Sequence, residues 1–151
     1  MRNELIQAAL NEIGVKELKG PVENTPRILE YFWEIGHTWV KNDETAWCSA
    51  VHNFIHKTNG YEYSDALDAR SWLKFGTSIT HPQMGDTVIF WRGTAATGGG
   101  PDGWKGHVGF WIRQRGSYTY VLGGNQDNQY CIKPYYTGKM LDVRRMEKLA
   151  A

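Results

Sequence analysis

The stretch AWCSAVHNF, residues 46–54, sets a cysteine at the opening of a segment with helical periodicity, in a chain that holds one other, Cys131. A thiol there can be core filling, half of a disulfide, a metal ligand or a nucleophile. At about 100° per residue, Trp47, Val51, Phe54, Ile55 and Thr58 share a stripe, and Cys48 falls at its edge beside Ile55. With Thr45 as N-cap, Cys48 stands in the first helical turn. Unpaired backbone N–H groups and the positive end of the helix dipole there favour thiolate over thiol and can stabilise a developing oxyanion. That is the position a nucleophile needs.

A nucleophile also needs a base. Among five histidines, His107 opens GHVGFW, which reads as a strand whose first residue faces a cleft while Val108, Phe110 and Ile112 pack on the other face. Gly106 and Gly109 leave room for close approach of a helix or a substrate. The next strand, in YVLGGNQDNQ, ends in amides and one carboxylate. Cysteine at a helix start, histidine at a strand start and a polar group on the following strand make up the three-part arrangement of thiol proteases. The third group there holds the imidazole in its useful tautomer. A rival lies within the helix: Cys48, His52 and His56 at i, i+4 and i+8 share a face that can hold zinc or copper. Three ligands in one helical line need a fourth from elsewhere, and the expectation for both histidines is a solvated polar edge. Two cysteines imply no disulfide framework, although one Cys48–Cys131 bridge is open to the chain; Cys131 reads as strand packing.

The elements that must position these groups divide the chain in half. Leu5, Ile6, Ala9, Leu10 and Ile13 recur at helical spacing before Gly14. A loop through Gly20 and Pro21 leads to TPRILEYFWEIG, with Thr25 as cap, Pro26 in the first turn and Ile28, Leu29, Phe32 and Trp33 as its apolar face. The cysteine helix runs from near Thr45 to about Lys57. A fourth, SDALDARSWLKFG, runs from a Ser64 cap to a Gly76 stop. After that the period changes to two: DTVIFW, HVGFWI, YTYVLG, QYCIKPY and LDVRRM read as strands of a meander. RGTAATGGGPDGWKG, between Trp91 and His107, reads as a polar, mobile surface loop of the length that often carries function. Asp86 after Gly85 reads as a turn residue. The sum is one α+β domain, 1–151, with N-terminal helices packed on a C-terminal antiparallel sheet.

Composition bounds the partners. Apolar residues make up 41% of the 151, charged residues 22%, and the formal net charge is +1, which gives no electrostatic case for nucleic acid. Aromatics at 13%, with seven tryptophans, suit either a core of large side chains or a carbohydrate- or peptide-lined groove. No stretch approaches the ~20 apolar residues that span a bilayer, and the N-terminus lacks the continuous apolar region of a secretory signal.

WCSAVHNF, ARSWLKFG, GDTVIFWRG, GHVGFW and VLGGNQ, in this order and with similar gaps, resemble the NlpC/P60 and CHAP peptidoglycan hydrolases, most closely the small single-domain NlpC/P60-like branch of phages and bacteria. The likeness starts near IGVKE at Ile13 and covers most of the chain. Each motif alone is weak; five in order are specific. The resemblance implies a papain-like fold and a cysteine peptidase or amidase without metal or organic cofactor. It implies Cys48 as nucleophile, His107 as base, and a backbone N–H of Cys48 in the oxyanion hole. The third residue departs from the family: the strand offers no second histidine, and Gly123 stands where a CHAP glutamate is expected. Asn125 is the candidate orienter, with Gln126 and Asp127 behind it. Arg70 and Ser71 lie where the family's helix lines the cleft; the alternative for Arg70 is a surface side chain with its stem on Trp72. Ser49, Gly106 and Gln126 are expected at the substrate groove, and Trp47 either walls it or staples helix to sheet.

The implied substrate is the peptidoglycan stem peptide, cut at γ-D-glutamyl–diaminopimelate, with N-acetylmuramoyl-L-alanine or a cross-link as alternative bonds. A non-catalytic wall-peptide-binding module is the rival class, and a general thiol protease or acyltransferase a third. A monomer made in the bacterial cytoplasm would reach the wall by lysis, as a phage lysin, or through a dedicated secretion route, as a toxin paired with an immunity protein.

Overall fold

The computed structural model describes residues 3–17, 26–37 and 47–150; the expected Thr25 and Thr45 caps and the loop through Gly20 and Pro21 lie outside them. Three helices, α1 (Asn3–Leu10), α2 (Pro26–Glu34) and α3 (Cys48–Thr58), precede six strands among the described residues. These are β1 (Thr77–Ser78), β2 (Thr87–Trp91), β3 (Gly106–Arg115), β4 (Tyr118–Gln126), β5 (Gln129–Tyr136) and β6 (Met140–Arg145). They form one antiparallel sheet in the order β1-β6-β2-β3-β4-β5. Four strands follow one another as the expected meander, and β6 turns back to close on the outer edge of β2. The architecture is α+β, helices against an antiparallel sheet. No helix among the described residues is long and apolar enough to cross a membrane.

Strand alternation fixes the two faces. Ile89, Val108, Phe110 and Leu122 point toward the helices, where Phe110 and Leu122 join Leu5, Ile28, Phe32, Val51 and Ile55 in the main core. Val88, Phe90, Val121 and Val143 pack on the opposite face with Tyr135 and Trp111 half-buried over them. Apolar contact on both faces is why β2 reads TVIFW with no polar alternation.

Several local expectations are corrected. α1 stops at Leu10 and continues as turns, so Leu10 and Ile13 are exposed. On α2 the buried arc is Ile28, Leu29, Tyr31 and Phe32, and Trp33 faces out; Tyr31 turns inward because its ring stacks on Trp47 and meets Phe54. α3 is buried on nearly all sides, with sheet, α2 and residues 64–74 around it, and only its last turn, Lys57 and Thr58, emerges. His52 and His56 therefore lie in the interior, not on a solvated edge. His52 Nε2 bonds Thr87 Oγ1 at 2.8 Å, His56 Nδ1 bonds the His52 carbonyl at 2.8 Å, and both rings pack on Trp72 and Phe110. No cluster of three metal-ligating side chains occurs among the described residues.

The fourth helix contracts to a 3-10 turn, Ala69–Lys74. Its would-be first turns are drawn off by α3. Asp65 takes a left-handed φ of 58° while its N–H donates to Asn53 Oδ1 at 2.8 Å, and Asn53 Nδ2 and Ser49 Oγ both donate to the Ala66 carbonyl. Ser64, expected as a cap, instead has its Oγ 2.8 Å from Ser71 Oγ, in hydrogen-bond contact.

Candidate functional site

α3 starts at Cys48 itself, with Trp47 in the N-cap position, φ −119° and ψ 10°, and no side-chain cap. The thiol sits where the helix leaves its first N–H groups unpaired. Its surroundings are less polar than expected. Cys48 is 6% exposed, grouped with Ala69, Trp72, Ile89 and Val108. Burial pushes the thiol above its ordinary pKa; the backbone N–H of Val108, then the positive charge of Arg92, pull it the other way without winning. At neutral pH the group is therefore a thiol, which corrects the expected thiolate.

His107, 5% exposed, opens β3 on the opposite sheet face from Val108. Its ring stacks on Tyr135 with centroids 4.8 Å apart. Its Nε2 lies 2.8 Å from Gln126 Oε1. The tautomer follows from the other end of that amide: Gln126 Nε2 donates to the Val121 carbonyl at 3.1 Å and to the Cys131 carbonyl at 2.6 Å. With both amide hydrogens engaged, Oε1 can only accept, so His107 Nε2 carries the hydrogen and Nδ1 keeps its lone pair. Burial pushes the imidazole down to about 4; the Gln126 bond opposes this, and Arg92 and Lys133 add to it. The ring is neutral at pH 7.

The residue holding the imidazole is thus Gln126, not Asn125. Regular alternation from Val121 puts 123 and 125 on the His107 face, but the register of β4 against β5 shifts between Gly123 and Gln126 and Asn125 takes φ 56°. That bulge swings Gln126 onto the face that Asn125 would have held. Gly123 makes the room: a Cβ there would lie 2.9 Å from Gln126 Oε1. The Cys131 thiol donates to the Gln126 carbonyl at 3.4 Å, and neither cysteine is bridged. Asn125 lines the cavity beside His107, and Asp127 pairs with Lys133 at 2.7 Å.

Cys48 and His107 open on neighbouring cavities. The one beside His107 has a volume of about 300 Å³ and includes Trp91, Arg92 and Tyr135. The one beside Cys48, about 120 Å³, includes Ala69, Trp104 and Gly106. Arg92 lines both. The thiol faces the N–H of Val108, one residue after the imidazole, but no hydrogen bond joins Cys48 to His107 among the described residues.

Other expected groove residues serve the scaffold. Trp47 is fully buried, its Nε1 donating to Glu17 Oε1 at 2.6 Å and its ring packed where a Cβ on Gly124 would stand; it staples helix to sheet. Ser49 Oγ donates to the Ala66 carbonyl and accepts from Trp72 Nε1 at 3.0 Å, and Ser71 Oγ donates to the Asp68 carbonyl at 2.7 Å. Gly106 is close-packed: a Cβ there would strike the Phe90 carbonyl and stand 3.4 Å from Ala69 and Arg70 of the 3-10 turn, whereas one on Gly109 would strike Val121 of the neighbouring strand.

Arg70 fills neither role considered for it. Its guanidinium donates to the carbonyls of Gly100 at 2.6 Å, Pro101 at 3.0 Å and Lys105 at 2.7 and 2.9 Å. The glycine-rich 92–105 loop is wrapped around it, with a 3-10 turn at Ala95–Thr97 closed by a Thr94–Thr97 capping box and with Gly99 and Gly100 buried. The rest of the loop, Arg92–Thr97 with Pro101, Asp102 and Trp104, is exposed, so it lies on the surface as expected and is anchored at its base by Arg70. Asp86 does accept the Gln83 N–H of a turn, and it is also buried in a two-bonded ion pair with Arg145 at 2.7 Å.

Sequence reasoning missed Arg92 and Tyr135. Tyr135 was legible as the strand partner alternating with Lys133; Arg92, at the strand end in FWRG, carried no local signal. Comparison of the chain with protein-family models and with curated proteins finds no match.

Proposed function

We propose that this chain is a cysteine-dependent amide hydrolase of papain-like, NlpC/P60 type, acting on bacterial peptidoglycan stem peptides. The observation that carries the reading is the His107 ring, held by Gln126 with its lone pair on Nδ1, on the strand whose next N–H faces Cys48. The five ordered motifs supply the substrate class.

Both groups start neutral, so the chemistry is general-base attack. Nδ1 takes the thiol proton as Sγ bonds to the amide carbon; the carbonyl oxygen becomes an oxyanion at the unpaired N–H of Cys48. The imidazolium returns that proton to the leaving nitrogen, the C–N bond breaks and a thioester remains. His107 then draws a proton from water, whose oxygen attacks the thioester and frees the acid and the thiol. Gln126 accepts the Nε2 hydrogen throughout, and being neutral it stabilises the imidazolium less than a carboxylate would. γ-D-Glutamyl–diaminopimelate is the proposed bond, with N-acetylmuramoyl-L-alanine cleavage as the alternative on the same fold.

A second reading, a wall-peptide-binding module without turnover, draws on two observations: Cys48 and His107 share no hydrogen bond among the described residues, and burial keeps the thiol protonated. Purified sacculi incubated with the protein, and the soluble products weighed by mass spectrometry, decide between them. Hydrolysis releases new muropeptides with the native chain and none with Cys48→Ala; sacculi of every chemotype left intact while still retaining the protein would establish the binding module instead.

A further inference from the structure

The cavity beside His107 has a charge character that the hydrolytic machinery does not use. Among its lining residues stand Arg92, Lys133 and Lys139 and no Asp or Glu. Lys133 is partly engaged by exposed Asp127, a surface pair that contributes little and is easily screened. Lys139 Nζ stands 5.1 Å from the Trp91 ring centroid. Neither Arg92 nor Lys139 has a carboxylate partner among the described residues. Three cationic residues on the lining of one cavity, in a chain whose net charge is only +1, are a local field that favours an anion.

The side of the substrate that meets this field follows from the proton inventory. If His107 hands its proton to the leaving nitrogen, that nitrogen lies on the imidazole's side, and what it carries runs into the His107 cavity. The acyl half, bonded to Cys48, runs toward the smaller cavity between Ala69 and Trp104. Arg92, at the junction of the two, is placed to bind a group close to the scissile nitrogen. A guanidinium fork matches a carboxylate bidentately.

We propose that this cavity is the subsite for the amine-side residue of the substrate, and that Arg92, supported by Lys133 and Lys139, recognises a free carboxylate on that residue. The inference rests on the hydrolase reading for the direction of the substrate. It selects among bonds: in a stem that ends at diaminopimelate the leaving residue presents a free carboxylate beside the cut, and in a longer stem its distal one, whereas the alanine released from a muramoyl amide has its single carboxyl tied in the next peptide bond.

The test is calorimetric titration of the Cys48→Ala chain, which cannot turn over. The ligands are the tripeptide L-alanyl-γ-D-glutamyl-meso-diaminopimelate and its counterpart with both diaminopimelate carboxylates amidated. The carboxylate form is expected to bind about tenfold more tightly. Adding Arg92→Gln, an exposed position whose folding a circular-dichroism melt checks, should erase the difference, with Lys139→Gln as the second variant. Raising ionic strength from about 0.02 to about 0.3 M should weaken only the carboxylate ligand. Equal affinity for the two peptides, binding of neither, or a preference untouched by both substitutions overturns the subsite. Sacculi cut by the native chain alongside equal affinities would leave hydrolysis standing and remove the subsite. Discrimination without any cutting would do the reverse.

Discussion

His107 is held by an amide, and that fixes what its neighbours can be asked to do. Gln126→Glu puts a carboxylate where Oε1 now accepts, which favours the imidazolium and raises the His107 pKa. Because the ring must be neutral to take the thiol proton, kcat/KM of the native chain should rise with pH through about 4 and reach its plateau by neutral pH. In Gln126→Glu this acid limb should move up by at least about one pH unit. An unmoved limb would mean that His107 is not the titrating base. Gln126→Ala should lower kcat roughly 10²-fold with KM little changed, since the ring loses its orienter. Cys48→Ala removes one buried sulfur and should cost about 1 kcal/mol of stability, so a cooperative melt close to the native one should accompany loss of muropeptide release. The types Cys48 and His107 were legible because each opens an element, where the local sequence signal is strong. Gln126 was named only behind Asn125, because a single bulged residue reverses the parity of β4 after Gly123, and period-two counting cannot register it.

At the scale of elements, the five strands of the second half were legible as short β-branched and aromatic runs between turn residues, and a sheet apolar on both faces writes itself plainly into DTVIFW and HVGFWI. The helix expected across Ser64–Gly76 was not, because the Ser64 hydroxyl, the Asp65 N–H and the Ala66 carbonyl are claimed by Asn53 and Ser49 on α3, contacts 11 to 17 residues away along the chain. The 92–105 loop shows the same limit. Its glycines and polar residues read as freedom, but they are the small, carbonyl-exposing residues that one half-buried guanidinium can gather. Arg70→Ala should therefore release the loop: trypsin cleavage after Arg92 and Lys105 should quicken about tenfold or more under native conditions, by analogy with other locally opened segments. Arg70→Lys should rescue little of this, because a point charge cannot serve three carbonyl groups that a planar fork reaches at once. Native-like protection in Arg70→Ala would show that the loop holds itself.

Burial holds His52 and His107 in the neutral form, and the stability of the whole molecule must follow pH accordingly. His107 titrates at about 4 in the folded chain against about 6.5 in an unfolded one. His52 is held well below its ordinary value by burial, then by the nearby His56 and His107. Between the two values the unfolded chain binds more protons than the folded one, so the unfolding free energy rises with pH across that window. The contribution is neutral above about 6.5, grows as pH falls and is complete below about 4, where His107 alone costs on the order of 3 kcal/mol. His52 acts in the same direction, so thermal melts should show Tm falling steadily from pH 7 to pH 4, with the steepest loss below 6.5. His107→Gln removes the proton that the unfolded chain gains at that position and should flatten the curve by its own share. Parallel curves for the native chain and His107→Gln would show that this imidazole is not buried neutral, and with it the lone pair on Nδ1 that the proposed chemistry requires would go.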